Sequence, residues 1–177
     1  DLRDAGAAAA QEDAGPGAEV TAEVVGADNG DAGAYLAARV AEGGSDFRAA
    51  AAWYDRALAA DPGNLALTEG ALYSELGLGN FDRAGELAAA LGDQARDNQL
   101  AAFAFDALDG AAEDWPALIQ AAADGRKVGP VLDDLVLAWA RFGDGKMSEA
   151  LKDFEAVAGM RGMEAVGLYH KALALAA

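Results

Sequence analysis

The chain has 177 residues, 53% of them apolar, enough to bury the core of a single domain or a short repeat array. Its 30 Asp and Glu against 13 Lys and Arg give a net charge of −17, which repels phosphate backbones and anionic headgroups and argues against nucleic acid as a partner. With no cysteine there is no disulfide framework, thiolate metal site or cysteine nucleophile, and the uncharged runs are too short to insert into a membrane.

Residues 1–33 carry eight acidic groups against Arg3 alone, with six glycines and no aromatic residue. Side chains so small cannot bury enough surface to offset the entropy of ordering. Residues 1–30 are therefore expected to form a flexible acidic arm, with a loose alanine-rich helix near 4–12. The "DNGD" at 28–31 lacks the alternating ligands and closing glutamate of a calcium loop and reads as a solvated turn. The chain opens on Asp1 instead of Met, as after removal of an export signal or by design of its ends.

A helix is expected near 34–43, and the next stretch, "SDFRAAAAWYDRALAADPGN", shows helical periodicity directly. Phe47, Ala50, Ala51, Tyr54, Ala57 and Leu58 share one face, Asp46 stands at the N-cap, and Pro62-Gly63 stops the helix. Its alanine seam lets another helix approach closely. The pair of polar cap and aromatic then recurs: Asp46-Phe47, Asn80-Phe81 and Asp114-Trp115 are spaced by 34 residues, as are Asn64 and Asn98. Met147 and Ala150 open a fourth copy after a step of 32. Between these second helices lie first helices near 65–78, 99–109 and 131–142, and a last helix near 164–176 has no partner after it.

Spacing, small crossing residues, an aromatic opening the second helix and a closing proline together resemble the tetratricopeptide repeat family. Phe47, Ala50, Tyr54, Ala57 and Pro62 carry the resemblance in the first repeat, Gly79, Phe81 and Ala84 in the second, and Leu137, Ala138, Gly145, Ala150 and Phe154 in the fourth. Leu72 and Asp106 replace small residues and Leu118 replaces the crossing alanine of the third. The resemblance implies an all-α fold, an α-solenoid of antiparallel helix pairs in a right-handed superhelix. Its repeats run over 31–64, 65–98, 99–130 and 131–162, plus the extra helix 164–176. Nine Arg to four Lys in an Ala- and Gly-rich chain also resembles a protein of a GC-rich bacterium.

The resemblance further implies a concave groove lined by the first helices. Its wall would be Tyr35, Arg39 and Glu42, then Glu69, Tyr73 and Leu76, Leu100 and Phe103, Leu132, Leu135, Trp139 and Phe142, and Tyr169. Phe47, Tyr54, Phe81 and Trp115 are expected to pin helix to helix. The last helix has Val166, Leu168, Tyr169, Leu173 and Leu175 around its circumference and wants cover, from further repeats of a longer chain, a partner or a second copy.

Catalysis finds little support. His170 is the only histidine, so no histidine metal pair or nucleophile triad with a spare base can be assembled. "GDGKMS" at 143–148 has Ala140 where a phosphate loop needs its leading glycine and reads as a turn. Adjacent carboxylates such as Glu12-Asp13 and Asp133-Asp134 diverge by about 100° on a helix and read as solvated charge. The expected role is a non-catalytic scaffold with no cofactor and no metal, gripping a protein or peptide segment in the groove. The alternative is a structural part of a larger assembly or homo-oligomer, docked through the C-terminal end. An exported or envelope setting fits the missing Met, with the cytoplasm as the alternative.

Overall fold

The computed structural model describes residues 31–177. The expected acidic arm, its helix near 4–12, the Glu12-Asp13 pair and all of "DNGD" except Asp31 lie outside the described residues. Among the described residues nine α-helices follow one another: α1 (Ala32–Gly43), α2 (Phe47–Ala60), α3 (Leu65–Leu78), α4 (Phe81–Ala90), α5 (Gln99–Ala111), α6 (Trp115–Ala123), α7 (Pro130–Gly143), α8 (Met147–Gly159) and α9 (Glu164–Ala176). A 3-10 segment, Gly92–Asp97, joins α4 to α5, and no strand occurs among the described residues. The first helices and the last one fall within a residue or two of their expected limits.

The helix ends explain this regularity. Ser45, Gly79, Glu113, Gly125 and Gly145 all have positive φ. In each case the next residue, Asp46, Asn80, Asp114, Arg126 or Lys146, donates its N–H to the carbonyl five residues earlier, in bonds of 2.8–2.9 Å. This is the Schellman closure, in which a left-handed residue turns the chain so that orphan carbonyls are satisfied. Two of these residues then serve the next helix as well. Asp46 and Asp114 accept from Ala49 N and Ala117 N, so one residue closes the first helix with its backbone and opens the second with its side chain. Asn80 departs from this expectation: its side chain makes no cap bond, and its Nδ2 donates instead to the buried Glu75. Asn64 and Asn98 cap α3 and α5, each accepting from two backbone N–H groups. Asp133, expected as solvated charge, reaches back to accept from Val128 N and Gly129 N at the mouth of α7. "GDGKMS" forms the α7–α8 turn.

With such short connections each helix packs mainly on the one before and after it in sequence, and α3 also touches α5. Alanines and glycines set the close approaches. A Cβ on Gly70 would fall 2.3 Å from the Tyr54 ring, one on Gly77 2.6 Å from Phe47, and one on Gly143 2.5 Å from Trp115. The expected packing aromatics thus stand on glycines of the following first helix. Phe81 instead meets Phe103 edge-on, with ring centroids 6.3 Å apart. At the C-terminal end Gly167 of α9 lies against the backbone of Ala158, where a Cβ would approach the amide nitrogen to 2.3 Å.

The apolar interior divides in two. One cluster runs through α1 to α5 around Ala38, Ala50, Tyr54, Ala71, Leu72 and Ala84. The other joins α7, α8 and α9 through Ala138, Ala150, Phe154 and Ala174, with Leu135, Trp139 and Phe142 packed against it. The buried Leu118 and Ala121 of α6, the shortest α-helix among the described residues, belong to neither.

Candidate functional site

Three alternate helices, α1, α3 and α5, contribute to one open cavity of about 470 Å³. Its lining includes Tyr35, Arg39 and Glu42 from α1, Glu69 and Tyr73 from α3, and Leu100 from α5. All six were expected on the groove wall. Alternate helices can share this surface because Gly70 admits the Tyr54 ring between them, which lets α3 close on α2. The small Ala66 and Gly70 also line the cavity, and the Tyr35 and Tyr73 rings that share its wall are 40% and 41% exposed.

The polar groups are arranged around Glu42. One guanidinium nitrogen of Arg39 donates to both of its carboxylate oxygens, at 2.9 and 3.0 Å, and the Tyr54 hydroxyl donates to it at 2.5 Å. Burial pushes the Tyr54 hydroxyl up to about 12, and the bond to the Glu42 carboxylate adds to the rise. Glu69 accepts from Asn98 Nδ2 at 2.6 Å, tying the groove to the cap of α5.

The remaining expected wall residues lie elsewhere. Leu76 packs on the first apolar cluster and Phe103 meets Phe81. Leu132 is exposed on α7. Leu135, Trp139 and Phe142 sit on the second cluster, where Trp139 lies edge-on to Phe154 at 5.2 Å and its indole N–H donates to His170 Nδ1 at 3.0 Å. Tyr169, 62% exposed, flanks the same histidine at 5.5 Å. His170 thus links α9 to α7 and is bound up with packing, as a residue of the last-helix interface should be.

Two features lie outside the expectations from the sequence. Tyr54, expected only to pack, also supplies the hydroxyl that holds Glu42, which no spacing along the chain reveals. On α5, Asp106 and Asp109 grip Arg126 at 2.9 and 2.7 Å beside a second cavity of about 540 Å³. Their spacing of three on a helix was the available signal. Burial pushes Asp106 up against the opposing pull of Arg126, and Arg126 lies 5.5 Å over the Phe105 ring.

Among the described residues no group of three or more His, Asp or Glu is placed to hold a metal ion, and no helix is long and apolar enough to cross a membrane. No protein-family profile matches the chain, and neither curated proteins nor solved structures give a match.

Proposed function

We propose that the protein is a non-catalytic scaffold, a solenoid of the tetratricopeptide type, that binds an extended or helical segment of a partner protein along α1, α3 and α5. The observation that carries this reading is the convergence of six residues from alternate helices on one cavity. Exposed aromatic rings beside fixed polar groups are the usual chemistry of peptide capture. A second reading, docking into an assembly through α9, rests on Leu168, Tyr169, Leu173 and Leu175, all more than 40% exposed on that helix.

Selection of a random peptide library against the chain tests the groove. The selected peptides should lose about tenfold or more in affinity for Tyr35→Ala, whose ring is largely outside the core, while its helical circular dichroism is unchanged. Peptides that bind the variant equally well, or no selected peptide at all, would count against the groove. A light-scattering mass above that of one chain that drops on Leu168→Asp would favour the second reading.

A further inference from the structure

The charges in the cavity are unevenly used. Arg39 is engaged by both oxygens of Glu42, and Glu42 is further held by Tyr54, so this pair is internally neutralised. Glu69 is exposed and receives only the neutral amide of Asn98, and among the described residues no cation pairs with it. The cavity therefore carries one cation against two carboxylates, with two half-open tyrosine rings, in a protein of net charge −17. A carboxylate beside aromatic faces is the environment that attracts an ammonium or guanidinium group, through ion pairing and the ring quadrupole together.

The chain builds the same arrangement for itself elsewhere. Arg126 lies over the Phe105 ring while bonded to Asp106 and Asp109. Arg56 lies 5.5 Å over Trp53 while paired with Asp31. In both places the arginine is supplied from within the chain. In the groove the rings and the Glu69 carboxylate stand ready for a cation from outside it.

We propose that the groove recognises a basic partner segment, seating a Lys or Arg side chain of it in the cavity lined by Tyr35 and Tyr73 with Glu69 as its counter-ion. This rests on the groove-binding reading above. An acidic segment is disfavoured, because the charge of Arg39 is already paired with Glu42 and Glu69 would repel it. The surrounding negative charge also speeds encounter with a basic segment and makes its capture weaken with salt.

The peptides selected from the random library supply the probe. Groove binders, defined by their loss on Tyr35→Ala, should share a Lys or Arg. Replacing that arginine by its neutral isostere citrulline should weaken binding about tenfold. Glu69→Gln, which keeps an acceptor for Asn98, should weaken the arginine peptide several-fold and the citrulline peptide little. Groove binders without a basic residue, or indifferent to citrulline, overturn the cation site while leaving the groove intact. Basic peptides that bind the wild type and Tyr35→Ala alike indicate diffuse attraction to an acidic surface, which also overturns it. A library that gives no groove-dependent peptide overturns both readings. The citrulline exchange alters only the peptide, so its outcome does not depend on how the variant proteins fold.

Discussion

Tyr54 lies with its ring over Gly70 and its hydroxyl on Glu42, and is only 1% exposed. In the unfolded chain a tyrosine ionises near 10, whereas burial and the adjacent carboxylate push this one up to about 12. The unfolded state therefore gives up the proton first, so the contribution is intact below about 10 and is lost as the pH rises toward about 12. Tyr54→Phe should cost roughly 1–2 kcal/mol at neutral pH and flatten the alkaline limb of a stability–pH curve measured by urea unfolding. An unchanged limb would mean that the hydroxyl does not govern it. The packing role of this residue was legible from the 3.6-residue periodicity. The hydroxyl's role was not, since it depends on α1 and α3 meeting α2 from two sides. Trp139 shows the same limit: its register suits a groove wall, but α9 comes to lie beside it and His170 takes its N–H.

At the scale of elements, the turns between helices are as repetitive as the helices. Ser45, Gly79 and Glu113 occupy one left-handed position at intervals of 34, and only Gly79 does so without a Cβ penalty. Ser45→Gly and Glu113→Gly should each stabilise the protein by up to about 1 kcal/mol, and Gly79→Ala should destabilise it by a similar amount, read from thermal unfolding. The opposite order would contradict the closure geometry. The polar cap and the aromatic after this position are conspicuous in the sequence, because Asp, Asn, Phe and Trp are distinctive residues. The position itself is not, because serine and glutamate are ordinary anywhere. Asn80 erred the other way, a good cap residue drawn off by the neighbouring Glu75.

For the whole molecule, the division of the apolar interior matters most. Ala50, Tyr54, Ala71 and Leu72 belong to one cluster, Ala138, Ala150 and Phe154 to another, and Leu118 and Ala121, the buried residues of α6, belong to neither. Native-state hydrogen exchange should therefore resolve two cooperative units, α1 to α5 and α7 to α9, with α6 amides exchanging at the lowest free energy of opening. A single global unit would show the interior to be energetically continuous. The all-helical class and the helix order were readable from spacing and caps. The division was not, although Leu118 in place of a small residue and the short run between Trp115 and Gly125 coincide with it.

Packing of each helix on its neighbours in sequence also bears on how the chain is made. Nearly every partner a helix needs has been synthesised just before it or follows directly after it. As the chain leaves the ribosome, α1 to α5 can complete their interior while α7 is still being translated. A stall or a truncation beyond α6 would then release a piece already folded, and the growing end would present apolar surface to chaperones for only a helix or two at a time.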